Sequence, residues 1–162
     1  MVQLILRLPV SQRGEEMQLM RTVEQLLQVK GTDIWSIEPL TTTYNALEIM
    51  AEKNVGALLV MEKEKVVGIF SERDYARKVI LKDKSSKNTS IGELMTREVF
   101  YIDAKSTLEE SMALMTAKRI RHLPVLKNNR LIGIVTLGDV VRQIISDQQF
   151  AIRELEKYIT GG

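Results

Sequence analysis

The sequence predicts an α/β protein made of one β-α-β-β-α unit used twice, with small sheets covered by helices and the copies packed about a pseudo-two-fold axis. Three observations predict it. Gly68-Ile69-Phe70-Ser71-Glu72-Arg73-Asp74 returns 65 positions later as Gly133-Ile134-Val135-Thr136-Leu137-Gly138-Asp139. The offset holds without a gap from Ile37/Ile102 to Ile80/Ile145, and a fixed internal period means repeated supersecondary units. Each copy is an apolar run broken by glycine and closed by a hydroxyl three residues before an aspartate. With 162 residues and 44% hydrophobic content, the chain can bury one sizeable core but hardly two. The copies are therefore expected to share a core and to leave a symmetric pair of clefts between them.

Residues 1 to 19 show no clear period, and Pro9 followed by Ser11-Gln12-Arg13-Gly14 interrupts them. Met20 is an alternative start of the functional chain. From Thr22, a helical face carries Val23, Leu26, Leu27 and Lys30, and Gly31 suits its C-terminal stop. Ile34-Trp35-Ser36-Ile37 is a short extended piece, after which Ala46, Leu47, Ile49 and Met50 have helical spacing. Leu58-Leu59-Val60-Met61 and Val66-Val67-Gly68-Ile69-Phe70 are two strands about the charged turn 62–65. Continuous apolar runs of that length predict strands covered on both faces. A helix from Tyr75 directs Ala76, Val79 and Ile80 inward, and the polar stretch 82–90 ends it. The second copy repeats the order. Leu108, Met112, Leu114 and Met115 lie on a helix, strands run over 123–126 and 131–135, and the last helix starts at Asp139.

That last helix does not stop where its counterpart does. Val141, Ile144, Ile145, Ile152, Leu155, Tyr158 and Ile159 continue an amphipathic pattern nearly to Gly161. The leftover apolar stripe serves self-association or folds back on the chain's own core. The resulting divisions are a lead-in at 1–33, a first repeat at 34–82, a linker at 83–98, a second repeat at 99–146 and a helical extension at 147–162.

Composition narrows the chemistry. The chain has no cysteine and one histidine, His122, which removes disulfides, thiolate or histidine-cluster metal sites and cysteine nucleophiles. The absence of cysteine is compatible with a reducing cytosol. A net charge of +2, from 23 basic and 21 acidic residues, supplies no broad basic field for duplex nucleic acid. Lys82, Lys84 and Lys87 lack interleaved aromatics for single strands. The opening apolar run is too short to span a bilayer and lacks the features of a signal peptide. The expectation is a cytoplasmic, soluble protein with neither nucleic-acid nor membrane partners.

The hydroxyl-x-x-aspartate has two compatible meanings. As a helix cap, the hydroxyl accepts a free backbone N–H and the acid favours the positive helix end. As a ligand group, a carboxylate beyond the strand ends accepts from a cis-diol, while helix-start N–H groups meet a phosphate. Two copies directly after a buried strand weight the second meaning more than one copy does.

The duplicated unit resembles a tandem pair of CBS domains, the regulatory modules named after cystathionine β-synthase, over about residues 20 to 160. The likeness rests on the two heptapeptides, Val55-Gly56-Ala57-Leu58-Leu59-Val60, Glu93-Leu94-Met95-Thr96 and Arg119-Ile120-Arg121-His122-Leu123-Pro124-Val125, in this order and spacing. It is nearest to stand-alone bacterial CBS-pair proteins. The resemblance implies adenine nucleotides held by groups from both repeats. One set would be Asp139 and Thr136 with Val55, Gly56 and Ala57, and with Thr32 and Trp35 nearby. The other would be Asp74, Ser71 and Arg73 with Ile120, Arg121, His122 and Thr96. Arg73 stands where the other copy has Gly138, so basic groups are expected to concentrate at Asp74.

Each of these residues has a plainer alternative. Arg121 is a phosphate contact or a solvated charge. His122 is more readily a hydrogen-bonded structural histidine than a phosphate contact, because neutral imidazole is a poor anion partner. Trp35 packs in the core beneath the first helix before it stacks on a base. Met50, Met61, Met95, Met112 and Met115 are core by default. The expected function is a non-enzymatic regulatory module with no required cofactor. It senses AMP or another adenosine nucleotide, is homodimeric through its helices, and acts on an unidentified protein partner. NAD(H) binding and a nucleotide-free scaffold are the alternatives. No nucleophile with base, carboxylate pair or phosphate loop can be assembled by spacing.

Overall fold

The computed structural model describes residues 22–161; the stretch 1–19 and the alternative start at Met20 lie outside the described residues. Along the chain run α1 (Val23–Lys30), β1 (Ser36–Ile37), α2 (Thr43–Lys53), β2 (Ala57–Glu62), β3 (Lys65–Ser71), α3 (Glu72–Lys78), a 3-10 turn (Ile80–Lys82) and α4 (Ile91–Leu94). The second copy follows as β4 (Ile102–Asp103), α5 (Leu108–Lys118), β5 (His122–Lys127), β6 (Arg130–Thr136) and α6 (Leu137–Thr160). The described residues divide into two units, one of residues 34–99 and one that joins 100–161 to 22–33.

The unit 34–99 holds a three-stranded sheet in the order β1-β2-β3. β1 is parallel to β2, and β2 and β3 form an antiparallel hairpin. Lys63 and Glu64 turn the hairpin with φ of 47° and 63°, the mirror-image turn whose twist matches that of the strands. Residues 57–60 of β2 are all buried, as their continuous apolar run predicts. Ala46 and Met50 of α2 meet Leu58, Val60, Phe70, Ile91 and Leu94 in the core. α2 starts where the Thr42 side chain accepts from the Asn45 N–H, and it stops at left-handed Asn54. α3 begins at Glu72 rather than Tyr75, because Ser71 caps it. Val79 is buried, but Ala76 and Ile80 are exposed, contrary to expectation. The chain leaves the α-helix at Val79 and tightens into the 3-10 turn, which rotates Ile80 outward.

The other unit repeats this plan with sheet order β4-β5-β6 and a turn at Asn128-Asn129, φ 51° and 61°. α5 ends at left-handed Arg119, the equivalent of Asn54. Met50, Met95 and Met115 are buried and Met61 and Met112 partly so, consistent with core roles.

The buried residues form two clusters, one in each unit, instead of the single shared core expected from chain length. The reason is that each sheet receives a covering segment of its own. In the unit 34–99, α4 closes the core. Ile91 N–H donates to the Thr41 carbonyl at 2.8 Å and Gly92 N–H to that of Pro39 at 2.8 Å. In the other unit, α1 does the same work from the far end of the sequence. Val23 N–H donates to Ser106 at 2.8 Å and Glu24 N–H to Ala104 at 2.9 Å. Val23, Leu26 and Leu27 are buried there, as their helical spacing predicts. The Glu24 carboxylate pairs with Lys127 on the same unit.

α6 runs for 24 residues. Val140 is buried at its start, while Ile152, Leu155, Tyr158 and Ile159 are exposed. The fold-back alternative for the extension is thereby corrected, since these side chains have left the sheet behind. No helix among the described residues is long and apolar enough to cross a membrane.

Candidate functional site

In both units the capping meaning of hydroxyl-x-x-aspartate is realised. Ser71 caps α3 and Thr136 caps α6. Each hydroxyl accepts the N–H three residues on, and each aspartate accepts the cap's own N–H in return. The two carboxylates then differ in what else they hold.

Asp74 is buried. Its Oδ2 accepts from Ser71 N–H at 3.0 Å and from Ser71 Oγ at 3.1 Å. Its Oδ1 accepts from Thr96 Oγ1 at 3.0 Å and pairs with Lys78 Nζ at 2.8 Å. Those four donors match the four lone-pair positions of a carboxylate. Thr96 is held there because Ile69 and Thr96 exchange backbone hydrogen bonds, at 2.9 and 2.8 Å. The structure thus brings Thr96 to Asp74, and it adds Lys78, which also reaches the Leu94 carbonyl at 2.7 Å.

Asp139 holds a different set of partners. Its Oδ2 accepts from Thr136 N–H at 2.9 Å and from Lys30 Nζ at 2.5 Å, and its Oδ1 pairs with Arg142 at 2.9 Å. Burial pushes this carboxyl up, but the bonds and charge of Lys30 and the N–H and hydroxyl of Thr136 outweigh it, leaving it below the ordinary 3.8. Lys30 is fixed by a second bond to the Ile134 carbonyl at 2.8 Å. Two cations thus meet Asp139, one brought by the lead-in helix and one by the next turn of α6.

The strand entries lie beside the caps of their own repeats. Ala57 is in register with Ser71, and the Gly56 carbonyl accepts the Glu72 N–H at 3.1 Å. His122 is in register with Thr136, and the Arg121 carbonyl accepts the Leu137 N–H at 2.9 Å. Val55 and Ile120 are half-buried, each N–H closing the turn of the preceding helix on Met50 and Met115 at 3.0 Å. Arg73, Arg121 and Thr32 are exposed. His122 is half-buried. Burial lowers its basicity below the ordinary 6.5, Lys30 adds to that, Asp139 opposes it and Arg121 reinforces it. A neutral imidazole agrees with the structural role. Trp35 is not packed in the core, contrary to expectation. It is 37% exposed, with Lys53 Nζ 4.6 Å above its ring. Its backbone carbonyl accepts the Leu59 N–H at 3.2 Å.

Three residues escaped sequence reasoning: Lys30, Lys78 and Arg142. Each left a signal. Lys30 stands on the otherwise apolar face of α1, where a cation needs an inward partner. Lys78 and Arg142 stand four and three residues beyond an aspartate at a helix start, spacings that bring side chains together.

The matching family description is "CBS domain", found over residues 26–81 and again over 91–146. The mitochondrial CBS domain-containing protein CBSX3 of Arabidopsis thaliana is 41% identical over 151 residues, covering 87% of this chain and 73% of that protein. A solved CBS-domain structure, 48% identical, covers 78% of this chain and 98% of its own with a TM-score of 0.75. A second, from a Burkholderia ambifaria protein named for signal transduction, is 45% identical, covers 79% and 96%, and has a TM-score of 0.76. Two matched copies, two three-stranded sheets and these relatives together make the chain a member of the CBS-domain family, with its two domains in tandem.

Proposed function

We propose that the protein is a regulatory sensor of AMP or a related adenosine nucleotide, a cytoplasmic homodimer that passes a ligand-dependent change of conformation to a protein partner and performs no chemistry itself. Membership in a family of regulatory modules supports the regulatory part. The observation that carries the ligand class is the Asp139 cluster, where a carboxylate, two cations and the start of a 24-residue helix converge. A ribose diol needs an acceptor such as Asp139, and a phosphate needs donors such as Lys30, Arg142 and helix-start N–H groups. Asp74 with Ser71, Arg73, Thr96 and Lys78 offers the same acceptor chemistry. Backbone at 55–57 and 120–122 supplies the hydrogen bonds and apolar contact that an adenine takes, with Thr32, Trp35, Thr136, Arg121 and His122 as further contacts. Binding that repositions Lys30 would tug α1 through its bond to Asp139, which gives a partner two states to distinguish.

Thermal unfolding with AMP, ADP, ATP, NAD, NADH and S-adenosylmethionine tests this, with Asp74→Ala and Asp139→Ala beside the wild type. Ligand at about 100 times its dissociation constant adds roughly 2.7 kcal/mol. The shift with ligand is the readout, because either substitution also opens a capping box and lowers the starting stability. A rise for one nucleotide, removed by one variant, is the expected result. A rise for NAD or NADH alone replaces AMP with the dinucleotide. No rise for any compound leaves a scaffold that works through protein contacts alone.

A further inference from the structure

α6 outruns its counterpart α3, and the extra length carries a pattern that one chain alone does not use. Val141, Ile145, Gln148, Ile152, Leu155 and Ile159 follow one another in steps of four, three, four, three and four. That is a seven-residue repeat with a mean spacing of 3.5, the period of a seam between two supercoiled helices. All six are exposed. Among them Ile145 is 48%, Ile152 55%, Leu155 62% and Ile159 85% open. The half-buried residues lie on the neighbouring face, at Gln143, Ile144, Asp147, Ala151 and Glu154. The stripe is therefore a second surface, distinct from the one by which α6 joins its own unit.

We infer that this stripe is a parallel, two-stranded coiled-coil seam with α6 of a second copy of the chain. The choice of residues selects two strands. Ile145, Ile152 and Ile159 occupy one core position of the repeat, and Val141, Gln148 and Leu155 the other; β-branched residues at the first favour dimers when leucine fills the second, as Leu155 does, and a polar core residue such as Gln148 fixes register and strand number. Gln148 selects direction. In a parallel pair it faces its own copy, and the two amides can bond to each other. In an antiparallel pair centred on the stripe, it faces Ile152 and is buried without a partner, twice. An antiparallel pair would set Arg142 against Glu156, but an exposed ion pair returns less than an orphaned buried amide costs. The apolar members bury roughly 1,000 Å² between two copies, the area at which a specific interface begins.

This inference rests on the homodimer part of the proposed function and is indifferent to the ligand. Sedimentation of the full chain, wild type beside Ile152→Glu and Leu155→Glu, reads it. The expected result is a wild-type dimer whose dissociation constant rises at least 100-fold in either variant. Helical content and core melting should stay intact, because both side chains are exposed. A chain without cysteine allows a clean test of direction. Gln148→Cys should couple to itself on mild oxidation in the dimer and not after Ile152→Glu is added. A monomeric wild type overturns the homodimer and the seam together. A dimer untouched by both glutamates overturns the seam alone, and a dimer in which Cys at 148 fails to couple overturns its parallel register.

Discussion

Gly68 and Gly133 occupy the same place in the two copies, yet filling them has unequal consequences. A Cβ at 133 would lie 2.8 and 2.9 Å from the two methyl groups of Leu27, which can swing aside. At 68 it would lie 2.6 Å from Met95 Sδ and 3.0 Å from the Thr96 carbonyl oxygen, and that carbonyl is tied into the sheet by Ile69. Gly68→Ala should therefore cost about 3 kcal/mol and Gly133→Ala about 1 kcal/mol, within the usual range of overpacking; urea unfolding compares them. His122 yields a pH prediction. Its imidazole binds a proton less readily folded than unfolded, so the unfolded chain gains protons first as pH falls through about 6.5, and stability drops. With one histidine in the chain, His122→Gln should flatten the stability profile between pH 7 and 5. At this scale the sequence displayed the hydroxyl and the aspartate but not their company. Lys30 and Asp139 are 109 positions apart, and no local period links them.

Elements were legible where one period ran long enough to dominate. The hairpins of both copies, α1, α2, α5 and the long α6 follow their patterns to within a few residues. One failure is a whole element, α4, whose single turn inside the stretch read as a linker is too short to show a period; the others sit at element ends. α3 stops at Lys78 because the chain tightens at Val79, and a helical wheel cannot see that change of pitch. The covering role of α1 was also illegible, since its apolar face announces burial without naming the sheet. The structure names it: Leu27 is almost fully buried against unit 100–161, over Gly133 of β6. Leu27→Ala should cost about 3 kcal/mol, the middle of the range for a buried leucine. Hydrogen exchange should then quicken first in β5 and β6. Unchanged protection of those strands would mean that α1 contributes nothing to holding that sheet.

For the whole molecule, the duplication was visible and its closure was not. Length argued for one core, and the chain instead builds two, because each sheet takes a lead-in segment as its cover. α4 stands to Thr41 and Pro39 as α1 stands to Ser106 and Ala104, but α1 reaches past a whole repeat to do so. The two aspartates look alike in sequence, and what separates them is the cations that the fold brings to each, Lys78 at Asp74 and Lys30 with Arg142 at Asp139. That crossing has a consequence for the order of synthesis. As the chain leaves the ribosome, α1 is made before the sheet it covers, and its apolar face must wait while 34–99 emerges. The unit 34–99 can close once Thr96 is out. Its neighbour cannot close until β6 has appeared, by which time α1 has waited through the synthesis of the whole unit 34–99. A growing chain therefore carries a sticky helix that must be kept from other partners until its own sheet is made.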